Sequence, residues 1–247
     1  MKRWVGRAGV AGVALAAISL WMPVSSAHAA PRLHFFGMNL AGIQTSNPTS
    51  TTQAGYFASS PATATVVDKF TVPTVTCSST TFQAVELSAI VFTSSGGQPP
   101  NGAGVVIACQ NGSPFYKGQF LVNGSGTFIN SFTPHAGDVI KAVASVSPSS
   151  TMLTVKDKTQ GKSSSTTAPG EANLKAFWGV ESLFSGTTLP VPNFGTANFT
   201  KGSLNAATVQ ASGGVAHDLK LTTVVDVQTG VLSATGNAWS EVFKAST

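Results

Sequence analysis

Beyond residue 30 the apolar segments of this chain are short, and none continues for ten residues with the spacing of an amphipathic helix. Val139–Val146 alternates polar and apolar residues, and turn pairs such as Asn111-Gly112 and Asn123-Gly124 separate the segments. This pattern predicts an all-β protein, a two-sheet antiparallel β-sandwich. Ten strands are predicted: Ala64–Val72, Val85–Phe92, Gly104–Ala108, Tyr116–Val122, Val139–Val146, Met152–Lys156, Ala176–Glu181, Thr196–Phe199, Leu219–Val227 and Ala238–Phe243.

The first 29 residues have the organisation of an export signal. Basic residues at the start precede an apolar stretch, Val10–Val24, and Ala27-His28-Ala29 gives a small-x-small cleavage site. A transmembrane anchor is the alternative, but this stretch is shorter than the roughly 20 residues that a span needs. We therefore predict a secreted, extracellular protein that has no membrane span once the signal is removed.

The remainder reads as one domain without an internal repeat. Residues 30–52 are predicted to form an N-terminal arm, which could be flexible, and residues 53–247 the sandwich. Ser163–Gly170 (SSSTTAPG) is predicted to be a flexible loop rather than a linker, because similar strands flank it. We expect a monomer.

Loss of the signal would leave eleven basic and nine acidic residues, so the mature chain is nearly balanced in formal charge. No run of Lys and Arg remains, and basic residues are not interleaved with aromatic ones, which argues against nucleic-acid binding. Four lysines within predicted strands, Lys69, Lys117, Lys141 and Lys156, are candidate gatekeepers against edge-to-edge aggregation.

The chain has two cysteines, Cys77 and Cys109. In an exported protein this favours one intrachain disulfide, with two buried free thiols as the alternative. No spacing of Cys, His, Asp or Glu matches a metal motif, so neither a metal nor a cofactor is expected.

Seven segments of the chain form a recognisable series: Ala54-Gly55-Tyr56, Thr71–Cys77 (TVPTVTC), Cys109–Gly112 (CQNG), Gly137–Ile140 (GDVI), Leu153–Gly161 (LTVKDKTQG), Leu189–Phe199 (LPVPNFGTANF) and Asp226–Leu232 (DVQTGVL). In this order they resemble the glutamic peptidase family, the eqolisins, and in particular its secreted bacterial members. The resemblance implies a concanavalin-like jelly roll and a polypeptide as the ligand class, and it places the two cysteines where those members form their disulfide.

The same resemblance identifies where the family's catalytic pair would lie. The Glu that serves as general base falls at Phe177, and the Gln that orients the water falls near Gly102. Neither residue can perform that chemistry, so a non-catalytic relative is the leading hypothesis. The alternative is an active acid endopeptidase with relocated residues, in which Glu181 is the base and Gln119 or Gln83 supplies the amide.

Binding without cleavage is a further hypothesis. If the cleft persists, Phe177, Trp178 and Phe120 would line an apolar groove that could hold an extended or hydrophobic peptide. A purely structural secreted domain is the third reading.

Overall fold

A computed structural model describes residues 48–78, 80–93, 100–171, 174–185 and 187–245. The predicted signal peptide and most of the predicted arm lie outside these residues. The described ranges form strands, bridges and turns without a helix, which confirms the all-β prediction. No helix in this part of the chain has the length and apolar character needed to cross a membrane.

Within the described residues the strands form two sheets, and the first has seven strands whose neighbouring pairs are all antiparallel. Successive side chains of each strand point to opposite faces of the sheet. In spatial order the strands are β7 (Ser125–Phe128), β6 (Ser113–Val122), β5 (Asn101–Gln110), β4 (Gln83–Thr93), β11 (Leu174–Ser182), β2 (Gln53–Ser59) and β15 (Val215–Leu219).

The second sheet shares β15 with the first, so the two sheets are continuous at that strand. Its other neighbours are antiparallel, except that β1 runs parallel to β15. In spatial order the strands are β10 (Lys162–Pro169), β9 (Ser150–Asp157), β8 (Val139–Val146), β3 (Ala64–Thr71), β12 (Thr196–Phe199) with β13 (Ser203–Leu204) and β14 (Ala207–Thr208) beside it, β17 (Trp239–Phe243), β16 (Val227–Thr229), β15 and β1 (Thr49–Ser50).

Two predictions of secondary structure are wrong. The segment predicted as a loop, Ser163–Gly170, is mostly strand β10, which pairs with β9 over eight residues. It is an exposed strand of Ser and Thr, so it lacks the apolar alternation by which the other strands were recognised. The predicted strand Leu219–Val227 is instead the end of β15 and the start of β16, joined by bends over residues 221–224.

One apolar core contains alternate side chains from both sheets. From the first sheet it takes Ala176, Trp178 and Val180, and from the second it takes Val66 and Phe70. Phe199 stacks on Trp239, with ring centres 4.8 Å apart and planes 2° from parallel. We call the face of each sheet that points away from this core its outer face.

The predicted disulfide between Cys77 and Cys109 is confirmed. It ties the segment that follows β3 to the end of β5, and therefore links the two sheets. Part of the predicted N-terminal arm is also ordered, because Thr49 and Ser50 pair with Asp218 and Leu219.

Candidate functional site

Four polar side chains are buried together on the outer face of the first sheet. Gln53 on β2, Glu181 on β11, Glu86 on β4 and Gln119 on β6 are each at most 3% exposed. The Gln53 amide nitrogen Nε2 donates to Glu181 Oε1 at 3.1 Å, and Gln119 Nε2 donates to Glu86 Oε2 at 2.9 Å. Glu181 and Glu86 are directly opposite each other on paired strands. We call these four residues the Glu–Gln quartet.

A pair of glycines brings β2 close to β11 beside the quartet. Gly55 and Gly179 are opposite each other, with φ of +145° and +148°. A Cβ atom at Gly55 would lie 2.1 Å from the Trp178 carbonyl oxygen, and one at Gly179 would lie 2.2 Å from the Ala54 carbonyl oxygen. Only glycine fits here, which gives the Ala54-Gly55-Tyr56 motif a physical reason.

Burial raises the pKa of both carboxyl groups of the quartet. Desolvation raises the pKa of Glu181 to about 8, against a hydrogen bond from Gln53 that lowers it. Desolvation also raises the pKa of Glu86 well above its usual range, and repulsion by Glu181 adds to this effect. One oxygen of each carboxyl group has no hydrogen-bond partner in the described structure. A protonated carboxyl group carries an O–H donor, which an ionised one lacks.

The two positions that the resemblance assigns to the catalytic pair lie near the quartet. Phe177 on β11 is opposite Ile90 on β4, and Ile90 is opposite Gly102 on β5. The two positions therefore fall on one row across three strands. That row is apolar, because Phe177 and Ile90 are fully buried in a cluster with Phe57, Phe92 and Leu121.

The three residues predicted to line an apolar groove do not share one surface. Trp178 and Phe120 belong to the core between the sheets, and Phe177 belongs to the cluster on the outer face. All three are buried, with Phe120 the most exposed at 6%. Strand alternation explains the separation, since Phe177 and Trp178 are consecutive and point to opposite faces.

Glu181 and Gln119, the predicted base and amide of a relocated catalytic site, are not hydrogen-bonded to each other. Gln119 binds Glu86, and the amide that reaches Glu181 comes from Gln53. Gln83 is on β4 opposite Cys109, three residues from Glu86. Gln53 and Glu86 were missed as site residues because they are far apart in sequence. Strand parity puts Glu181 on the same face as Phe177, but only the register of β2 and β4 against β11 brings Gln53 and Glu86 beside it.

No group of three or more His, Cys, Asp or Glu side chains within the described ranges is arranged to hold a metal ion. The quartet contributes two carboxyl groups and two amides, and both amides donate to those carboxyl groups. Its chemistry is that of a hydrogen-bonded acid–amide network.

A profile of the Peptidase A4 family matches residues 51–241, and the chain therefore belongs to the Peptidase A4 family. This confirms the resemblance to glutamic peptidases that the sequence motifs carry. Comparison with curated protein sequences finds no significant match.

Solved structures of glutamic peptidases share the fold at low sequence identity. Scytalido-glutamic peptidase, solved with a transition-state analogue inhibitor, is 15% identical, with a TM-score of 0.62 over 79% of this chain and 99% of that one. The eqolisin SCP-B, solved with the tripeptide Ala-Ile-His, is 17% identical, with the same TM-score and coverage. Aspergilloglutamic peptidase from Aspergillus niger is 22% identical, with a TM-score of 0.57 over 66% of this chain and 99% of that one. These likenesses support the two-sheet sandwich.

Proposed function

We propose that this protein is a secreted, non-catalytic member of the Peptidase A4 family. The observation that carries the proposal is the apolar row through Phe177, Ile90 and Gly102. By the resemblance, the family's carboxylate falls at the first of these positions and its amide near the last. Here Phe177 has an aromatic ring, and Gly102 has no side chain.

The Glu–Gln quartet is a poor substitute for that pair. A general base must be ionised at the working pH and must reach the water that it activates. Glu181, with a pKa of about 8, is neutral throughout the acid range, and Glu86 is shifted in the same direction. Both carboxyl groups are also almost completely buried. These features support a structural role for the quartet.

Proteolysis of a denatured protein substrate between pH 2 and pH 7 tests the proposal. We expect no cleavage by the purified protein at any pH in this range. The variants Glu181→Gln and Glu86→Gln are assayed in parallel, with Glu171→Gln as a matched control. Glu171 is another buried glutamate with a raised pKa, about 7, but it pairs with Asn101 outside the quartet.

Cleavage in the acid range that is lost in Glu181→Gln or Glu86→Gln, and kept in Glu171→Gln, would overturn the proposal and establish a relocated acid endopeptidase. Cleavage kept in all three variants would also overturn it and would move the chemistry elsewhere. Binding of the same substrate without cleavage, measured at equilibrium, would show whether the protein retains polypeptide as a ligand.

A further inference from the structure

Three lysines form a row across the outer face of the second sheet. Lys69 on β3 is directly opposite Lys141 on β8, and Lys141 is directly opposite Lys156 on β9. Residues opposite each other on paired strands have Cβ atoms about 5 Å apart. Lys141 and Lys156 are exposed and Lys69 is half-buried. We call these three residues the lysine row.

A depression of about 640 Å³ lies against one end of the row and is lined by two of its lysines. Two further lysines, both exposed, come from the segments that follow β9 and β12. The complete lining is Thr65, Val67, Lys69, Lys141, Lys158, Lys201, Ser203, Asn205 and Ala206.

The row has an electrostatic cost that the protein itself does not offset. Like charges placed directly opposite each other destabilise a sheet. All nine acidic residues of the chain are buried, none more than 7% exposed, so no aspartate or glutamate side chain stands at the surface beside the lysines. Asp68 and Asp157 adjoin the row in sequence, but strand alternation turns them to the opposite face.

Protection of sheet edges does not account for the row. A gatekeeper lysine is useful on an edge strand, where unpaired backbone groups could recruit another chain. Here β3 lies between β8 and β12, β8 lies between β3 and β9, and β9 lies between β8 and β10. The predicted gatekeeper role of Lys69, Lys141 and Lys156 is therefore wrong for these interior strands.

We propose that the lysine row and the depression beside it bind an anionic polysaccharide. Neighbouring strands are about 4.8 Å apart, which presents positive charges at intervals comparable to one sugar unit. Three polar residues, Thr65, Ser203 and Asn205, also line the depression. Asn205 Oδ1 accepts from the Thr65 backbone N–H at 2.7 Å, which holds the Asn205 side chain at the lining, where its amide nitrogen can donate to a sugar hydroxyl.

Other polyanions fit this surface less well. Single-stranded nucleic acids are held by aromatic side chains that stack on the bases, and among the described residues no aromatic side chain lines the depression. Insertion into a lipid surface needs exposed large apolar groups, and Val67 is the largest apolar side chain of the lining.

Equilibrium binding of the purified protein to two polymers, at pH 5 and 50 mM salt, tests the proposal. Polygalacturonate carries carboxylates and dextran sulfate carries sulfates, so the two arms identify the anionic group. We expect binding to one or both, and none to neutral dextran. The double variant Lys69→Gln/Lys141→Gln should weaken binding about 30-fold. It should also reduce the slope of log affinity against log salt by about two.

The double variant Lys117→Gln/Lys220→Gln is the matched control, since it removes the same charge outside the row. It should change the affinity less than threefold. Equal weakening by both double variants would overturn the proposal, because it would mean that net charge alone attracts the polymer. Tighter binding to a DNA duplex than to either polysaccharide would overturn it too, as would failure to bind either polysaccharide.

A measurement without polymer checks the electrostatic premise. If the row is self-repulsive, Lys141→Gln should raise the thermal midpoint of unfolding, while Lys220→Gln should leave it nearly unchanged. A lower midpoint in Lys141→Gln would contradict the premise.

Discussion

Glu181 illustrates how burial decides the charge of a single residue. Its carboxyl group accepts one hydrogen bond from Gln53, is opposite a second buried acid, Glu86, and is 3% exposed. Its pKa is therefore raised to about 8 in the folded protein. In the unfolded chain the same group ionises near pH 4.5. Folding at neutral pH thus requires Glu181 to take up a proton, which costs free energy.

Replacement of Glu181 by Gln should stabilise the protein at neutral pH. The neutral amide keeps an oxygen that can accept from Gln53 and needs no proton. We expect Glu181→Gln to raise the free energy of unfolding by up to about 3 kcal/mol at pH 7. At pH 4 we expect little change, because Glu181 is then largely protonated in both states.

Denaturant unfolding at the two pH values measures this difference. A stabilisation of equal size at pH 4 and pH 7 would contradict the assigned protonation state, as would a loss of stability at pH 7.

At the scale of elements, the contact between β2 and β11 depends on Gly55 and Gly179. These two strands carry Gln53 and Glu181, so the close approach of the glycines positions half of the quartet. Each glycine has a positive φ, and each would place a Cβ atom against backbone of the other strand. Rigid backbone cannot move aside as a flexible side chain can.

Replacement of Gly55 by Ala should lower the free energy of unfolding by at least about 2 kcal/mol, because strain and steric overlap add. Gly112→Ala is the matched control. Gly112 also has a positive φ, +75°, but a Cβ atom there would meet no atom within 4 Å. It should cost only about 1 kcal/mol. Equal losses in the two variants would show that the approach of β2 to β11 is not the critical feature.

Most strands could be predicted from the sequence because apolar alternation reports burial on one face. Val139–Val146 and Thr196–Phe199 were located to the residue. Strand β10 was missed because pairing with β9 holds it through backbone hydrogen bonds, which leave no trace in an exposed Ser/Thr sequence. The quartet was missed for another reason, since its partners are joined by strand register rather than by spacing along the chain.

At the scale of the whole molecule, the acids and the lysines are separated by depth. All nine acidic residues are buried, while the ten lysines of the described part are exposed or half-buried. Desolvation by burial is the largest cause of the raised pKa at seven of the acids: Asp68, Glu86, Asp157, Glu171, Glu181, Asp218 and Glu241.

This separation predicts a protein that is more stable in acid than at neutral pH. A group whose pKa is raised by folding contributes stability below its unfolded pKa, and that contribution is lost as the pH rises through the folded value. For Glu171 and Glu181 the loss runs from about 4.5 to about 7 and about 8. We therefore expect the free energy of unfolding to fall between pH 4 and pH 8.

Folding lowers the pKa of Asp138, so its contribution to stability has the opposite pH dependence. Burial alone would raise its pKa, but hydrogen bonds from Gln160 and from the His135 backbone N–H outweigh that effect and lower it. Its contribution is lost as the pH falls through that lowered pKa, which limits stability at the acid extreme. Denaturant midpoints measured at intervals across this range test the profile, and a maximum above pH 7 would contradict it.

The depth of the nine acids also determines how the protein reacts with chemical labels. A reagent that activates carboxyl groups would find no aspartate or glutamate side chain at the surface of the folded molecule. Amine reagents would reach lysines of the described part, which are exposed or half-buried. Carboxyl labelling would therefore report the opening of the molecule, because a buried carboxyl group can be modified only while it is exposed to solvent.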